Sequence, residues 1–251
     1  MIEGGRELLA VAEKAAKEAG ALLTTEQRGV KQNLERDVKV AADRLLHEFL
    51  LERLAVTGIA VFSEEGDPES AADPTELRWI LDPLDGSVNF SRGIPLFCVS
   101  IGLWNGSEPV LGIVHDPLRA ETYSGLVGAG AWMNGDAIAV RTQTNYSEAI
   151  LCTGFPVATD FSTKALSGFV TRVQSFKKVR LLGSAALSLA FVACGRADAY
   201  VEEGIALWDV AGGLALIRAA GGAFRTAPYG SDGRLTVMAA NTVLMKSLSL
   251  Q

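Results

Sequence analysis

The run from Trp79 to Phe90, Trp-Ile-Leu-Asp-Pro-Leu-Asp-Gly-Ser-Val-Asn-Phe, constrains this chain more than any other stretch. The apolar segment Trp79-Ile80-Leu81 carries the backbone to a carboxylate at Asp82. Pro83 stiffens the bend that follows. Gly86 permits a backbone angle or a close ligand approach that a side chain would forbid. Asp82 and Asp85 can then converge on one point. Two carboxylates, a backbone carbonyl between them and the hydroxyl of Ser87 make an all-oxygen donor set, which suits a hard cation such as Mg²⁺. If a helix begins after Gly86, its free N–H groups face the same point and could hold a phosphate oxygen. In isolation, a turn that merely caps a helix has the same composition. The stretch gains meaning only from acids elsewhere in the chain.

Two further acidic positions supply that context. Glu64, followed by Glu65, comes just after the apolar stretch Ile59-Ala60-Val61-Phe62, which reads as a short strand whose end projects Glu64 towards a cleft. Asp209 follows Trp208 at the start of the apolar helical segment 208–220, a place where an Asp also serves as an ordinary cap. Other catalytic devices find little support. The two histidines, His47 and His115, lie far apart without zinc-site spacing. There is no Gly-x-Ser-x-Gly elbow, no phosphate loop ending in Gly-Lys-Ser/Thr, and no Gly-x-Gly-x-x-Gly opening a helix. The three cysteines, Cys98, Cys152 and Cys194, are widely spaced and form no Cys-x-x-Cys pair. They read as small core residues in a reducing, cytoplasmic protein.

Of the 251 residues, 49% are hydrophobic and 21% charged, the balance of a folded chain with a sizeable core. A net charge of −6 gives no general attraction to nucleic acid. Bound cations would nevertheless let such a protein take an anion. No stretch has about 18 uninterrupted apolar residues, so no membrane span is expected. Periodicity predicts helices over 2–25, 39–56, 161–174, 184–195 and 208–220, the last ended by Gly221-Gly222. It predicts strands over 59–62, 97–104, 109–115, 121–127 and 236–240, and a short C-terminal helix. Glu64–Glu76, with six acids and no basic residue, reads as a polar loop, and Asn134-Gly135-Asp136 as a tight turn. This order predicts an α+β fold of helices on largely antiparallel sheets. One domain over 1–251 is expected, with any division into two packed lobes near 140–150.

Three blocks in order resemble the inositol monophosphatase family: Ser63-Glu64-Glu65, Asp82 to Phe90, and Trp208-Asp209-Val210-Ala211-Gly212-Gly213 running on to Ala220-Gly221-Gly222. The similarity extends from the second helix to Gly222. It implies a layered α/β/α/β/α sandwich of the inositol monophosphatase and fructose-1,6-bisphosphatase type. It implies a Mg²⁺-dependent, lithium-sensitive phosphatase, a homodimer, with two or three ions at each site. Asp82, the Leu84 carbonyl, Ser87 and Glu64 would bind one ion; Asp82, Asp85 and Asp209 a second; a third, weaker ion would sit near Glu64. Asp43 matches the acid that takes a proton relayed through Ser87 from the attacking water. Gly183, Ser184, Ala185 and Glu202 match positions that hold the substrate's hydroxyls, beside Asp85, Gly86, Ser87 and Asp209. Ser87 replaces the commoner Thr, Ser63 the commoner Gly, and the Glu often found before the final Ala-Gly-Gly is missing. Lys31 is out of register with the expected basic residue and is not assigned to the site. The implied substrate is an inositol monophosphate. Fructose 1,6-bisphosphate, a 3′-phosphoadenosine nucleotide and histidinol phosphate are the alternatives within the superfamily. A regulatory or binding protein that kept the fold is the non-enzymatic one.

Overall fold

The computed structural model describes residues 4–23, 29–33, 38–66, 73, 75–156 and 159–247. A small hairpin joins β1 (Val30–Asn33) to β2 (Val38–Val40). The first large sheet has seven strands in chain order: β3 (Ala60–Ser63), β4 (Leu77–Asp85), β5 (Cys98–Asn105), β6 (Glu108–Asp116), β7 (Glu121–Leu126), β8 (Gly130–Met133) and β9 (Asp136–Ile138). Every neighbouring pair in it is antiparallel except β3 with β4. The β8–β9 turn has positive φ at both Asn134 (52°) and Gly135 (91°), the two left-handed residues a tight hairpin of this kind needs. The predicted turn there is present, but the short strands flanking it were not foreseen.

The second sheet departs from the antiparallel expectation. Its order is β11 (Lys178–Leu181), β10 (Ile150–Thr153), β12 (Ala199–Ile205), β14 (Arg234–Asn241), β13 (Gly222–Tyr229). β11, β10 and β12 run parallel, and only the β12–β14–β13 portion is antiparallel. Parallel neighbours need long crossovers. Here α4 (Thr163–Ser175) separates β10 from β11, and α5 (Ala185–Ala193) separates β11 from β12. Of the five strands, only β14 was anticipated from sequence.

Five layers result. α1 (Gly5–Ala21) and α2 (Ala41–Leu54) cover the outer face of the first sheet, burying Ala12, Ala16, Leu46 and Leu50 against Trp79, Leu81 and Ile101. α5 and α6 (Leu207–Ala219) fill the space between the sheets. Both are largely apolar and buried over most of their length, with Asp209 and Arg218 of α6 near its two ends. α7 (Thr242–Ser247) covers the far face of the second sheet, with Leu244 and Met245 beside Leu151 and Val201. Helix α1 stops short of the predicted range, whose last two positions, 24 and 25, lie outside the described residues. So does much of the expected 64–76 loop, at 67–72 and 74. Among the described residues, no helix is long and apolar enough to cross a membrane.

Helix α6 is wedged in place by glycines. A Cβ at Gly112 of β6 would stand 2.1 Å from the Gly212 carbonyl oxygen, and one at Gly213 would stand 2.5 Å from the Leu189 Cβ of α5. Backbone therefore meets backbone at the centre of the molecule, which fixes where the N-terminus of α6 points. Gly112→Ala should lower unfolding stability by about 3 kcal/mol, read as a fall in the urea midpoint. An unchanged midpoint would contradict this packing.

Candidate active site

Strand β4 does not stop at Asp82; it continues through Pro83 and Leu84 to Asp85. In a regular strand, residues three apart face opposite sides. Here Asp82 pairs with Ser100 and Asp85 with Cys98, so two residues of β4 oppose the single Val99. This bulge resets the alternation and turns both carboxylates to the same side. Gly86 follows at φ 91°, where a Cβ would lie 2.8 Å from the Leu96 carbonyl. α3 (Ser87–Arg92) starts immediately after it. Asn89 then clamps the turn to the loops before β5 and α5, donating from Nδ2 to the carbonyls of Leu96 (2.7 Å) and Leu182 (2.8 Å). Phe90 anchors the helix by packing edge-on against Phe97 at 5.0 Å.

Three chain segments bring their acids together. Glu64 stands one residue beyond β3, Asp82 near the end of β4, and Asp209 in the first turn of α6. One oxygen of each lies within 4.8 Å of the others. Burial, and then the neighbouring charges of Glu64, Asp85 and Asp209, push the Asp82 carboxyl well above its ordinary value. Burial, Glu64 and Asp85 do the same to Asp209. Three crowded, partly desolvated carboxylates on rigid supports match the hard-oxygen chemistry of a divalent cation such as Mg²⁺.

Asp43 and Asp209 are held in the same way, each by its own helix. Asp43 Oδ2 accepts from the Val40 N–H at 2.6 Å, and Asp209 Oδ2 from the Ala206 N–H at 3.1 Å. The other oxygen of Asp43 lies 3.1 Å from Ser87 Oγ, which also sits 2.9 Å from the Leu84 carbonyl. Asp85 is occupied differently. Its Oδ2 accepts from Ser184 Oγ at 2.5 Å and from the Ala186 N–H at 2.7 Å, and its Oδ1 from the Ala185 N–H at 3.3 Å. These bonds at the start of α5 oppose the effect of burial, and the Asp85 carboxyl rises only to about 6.

A cavity of about 330 Å³ opens over these groups. Every residue anticipated from sequence lines it except Asp43, which reaches it through Ser87. Thr153, Gly154, Phe155, Trp208 and Arg234 also line it and were missed. Thr153 ends the unrecognised strand β10 and Gly154 and Phe155 follow it, and nothing in the sequence around Arg234 pointed to the site. Both histidines are structural: Nδ1 of His47 is 2.9 Å from Ser63 Oγ, and Nδ1 of His115 is 2.9 Å from Thr122 Oγ1. Cys152 is buried in the core and Cys194 is only half-buried. Cys98 touches the site, with Sγ 3.7 Å from Asp85 Oδ2.

Glu202 projects from β12 with 8% of its surface exposed, and its carboxylate accepts from the Tyr200 hydroxyl at 2.9 Å. Burial pushes its carboxyl up from 4.5 to about 7. The folded protein thus holds this proton more tightly than the unfolded chain does. The stability contribution is complete below about 4.5 and is lost as pH rises through about 7. Glu202→Gln, which keeps the shape, should reduce the fall in stability between pH 5 and pH 8 by on the order of 3 kcal/mol. Denaturant titrations of both proteins, without divalent ions, would measure it; parallel curves would contradict the assignment.

A family profile described as "Inositol monophosphatase family" matches residues 5–249. The inositol-1-monophosphatase of Mesorhizobium japonicum is 36% identical over 252 aligned positions, covering 96% of this chain and 94% of the relative. The Nus factor SuhB of Xylella fastidiosa is 37% identical over 217 positions, covering 83% and 78%. Among solved structures, the extragenic suppressor protein suhB of Bartonella henselae superposes with a TM-score of 0.84 at 28% identity, covering 96% of each chain. The chain belongs to the inositol monophosphatase family, a family of phosphoric monoester hydrolases.

Proposed function

We propose that this protein is a Mg²⁺-dependent phosphomonoesterase that hydrolyses an inositol monophosphate by attack of a water molecule. One observation carries the reading: the Glu64–Asp82–Asp209 cluster and Ser87, whose hydroxyl lies 3.1 Å from Asp43 Oδ1, face a single cavity. When bound, divalent ions supply the positive charge that clamps the phosphate and offsets charge on the departing alkoxide. Glu64, Asp82, Asp209, Asp85, Ser87 and the Leu84 carbonyl would hold them. This resolves the conflict between an acidic site and an anionic substrate.

The rest is done by the chain's own groups. Ser87 takes the proton of the attacking water at Oγ while passing its own to Asp43 Oδ1. Asp43 stays in position because its second oxygen is tied to the Val40 N–H. Gly183, Ser184, Ala185 and Glu202 hold hydroxyls of the leaving alcohol, and the Asp85 bonds to the start of α5 set the spacing between that loop and the acids. The non-enzymatic reading predicts loss of at least one of Glu64, Asp82, Asp85, Ser87 and Asp209, and all five are present. A homodimer in the cytoplasm, inhibited by Li⁺, completes the proposal.

Phosphate release from inositol 1-phosphate, with and without Mg²⁺, tests it. Fructose 1,6-bisphosphate, 3′-phosphoadenosine 5′-phosphate and histidinol phosphate should be assayed in parallel. Mg²⁺-dependent release is expected, with inositol 1-phosphate preferred. Ser87→Ala should cut kcat by roughly 100-fold or more. Asp82→Asn should abolish turnover while leaving the circular dichroism spectrum unchanged. Near-normal activity in Asp82→Asn would overturn the metal assignment.

A further inference from the structure

A cavity of about 570 Å³ lies on the outer side of the first sheet, beside the C-terminal half of α1. It shares no lining residue with the catalytic cavity. The helix lends it Glu13, Lys17 and Gly20, the end of β6 lends His115, and β7 lends Thr122. The β6–β7 turn at Pro117 and Ala120 and the β8–β9 turn at Asn134 complete the wall.

His115 is the group that marks this space. Only 7% of its surface is exposed. Its Nδ1 is engaged by Thr122 Oγ1 at 2.9 Å, which ties the ring into the β6–β7 pairing. Its Nε2 makes no hydrogen bond among the described residues. That nitrogen opens onto the cavity beside Gly20, where a Cβ would stand 2.8 Å from it. Polar atoms so deeply placed are normally paired, so the cavity holds one polar contact that the fold does not use. The wall around it is braced. Asn134 Nδ2 donates to the Ala120 carbonyl at 2.9 Å, and Asn134 Oδ1 accepts from the Thr122 N–H at 2.9 Å. Ala120 is held at φ 51°, a left-handed conformation that costs an alanine on the order of 1 kcal/mol.

The chemistry of the wall selects the ligand. Lys17 Nζ stands 2.6 Å from Glu13 Oε1, so the two charges offset one another. Burial lowers the affinity of the His115 ring for a proton and keeps it uncharged near neutral pH. An anion finds no net positive charge here, and a cation no net negative charge. No aromatic ring besides the imidazole lines the space, so a flat heterocycle has nothing to stack on. A hydroxyl suits every group: it donates to Glu13, accepts from Lys17 and pairs with His115 Nε2 in either tautomer. Pro117 and Ala120 offer apolar surface to the C–H faces of the same molecule.

We propose that this cavity is a second, non-catalytic site for a small uncharged polyol. His115 Nε2 anchors one hydroxyl, and the Lys17–Glu13 pair holds others at the rim. Binding there needs neither an ion nor turnover, so it stands or falls separately from the phosphatase reading.

The probe is myo-inositol, titrated into the full metal-free chain. The readout is the imidazole proton resonances, since His47 and His115 are the only two histidines. A His47→Gln variant assigns them. The His115 ring should shift saturably. Lys17→Met should weaken binding about fivefold, the scale of one lost hydrogen bond. Ala21→Trp, on the last turn of α1, sets an indole over the mouth and should abolish the shift. Both positions are exposed, so both variants should keep the wild-type melting temperature. Glu202→Gln alters only the catalytic cavity and should leave the titration unchanged. No saturable shift of His115, or wild-type affinity in Lys17→Met or Ala21→Trp, would overturn the site. A shift confined to His47, whose Nδ1 lies 2.9 Å from Ser63 Oγ beside Glu64, or one abolished by Glu202→Gln, would place the polyol in the catalytic cavity and overturn it too. Inorganic phosphate moving the His115 ring at lower concentration than myo-inositol would make this an anion site and refute the polyol assignment.

Discussion

Three carboxylate oxygens held within 4.8 Å of one another are the feature around which the molecule is arranged. At an effective dielectric near 20, each like-charged pair at that separation repels by about 3 kcal/mol. An isolated loop would relieve this by moving apart. Here each acid stands on an element that cannot retreat. Glu64 follows a strand paired in parallel with β4, Asp82 lies inside β4 at a bulge, and Asp209 sits in the first turn of a helix packed between two sheets. The fold imposes the crowding; burial first, and then the neighbouring charges, raise the affinity of Asp82 and Asp209 for protons.

That rigidity traces back to small residues. Glycines at 112 and 212 let α6 approach β6 until backbone meets backbone, and Gly213 lets the Leu189 side chain of α5 press against the α6 backbone. A larger spacing would carry Asp209 away from Asp82. The same economy appears at Gly86, where the turn into α3 passes too close to the Leu96 carbonyl for any side chain. Core packing and site geometry are therefore one problem in this chain. The glycines that close the interior also set the distances between the acids.

Asp82 and Asp85 were legible in the sequence because their chemistry is written locally, with Pro83, Gly86 and Ser87 inside the same six residues, whereas Glu64 and Asp209 gained meaning only from the order of the three blocks. The bulge that makes Asp82 and Asp85 face the same way was not legible, since it depends on register with β5. Long periodic helices were read well, to within a few residues at each end. Strands β10 and β11, short and with charged residues in β11, were missed, and β12 and β13 were missed because their pairing in a mixed sheet gives no simple alternation. Thr153 at the end of β10, and Gly154 and Phe155 just beyond it, were lost with that strand. Arg234 had no local signal at all, since it reaches the cavity only through the pairing of β14 with β12.

The central claim, that the fold holds these acids at a repulsive distance for a divalent ion to bridge, is tested most directly by thermal unfolding at pH 8. The wild-type chain and Asp82→Asn would be compared, each with and without Mg²⁺. The account predicts that without Mg²⁺ the variant melts higher than the wild type, because one repelling charge is gone. It also predicts that Mg²⁺ raises the melting temperature of the wild type far more than that of the variant. A wild-type protein unmoved by Mg²⁺, together with a variant that melts lower, would contradict it.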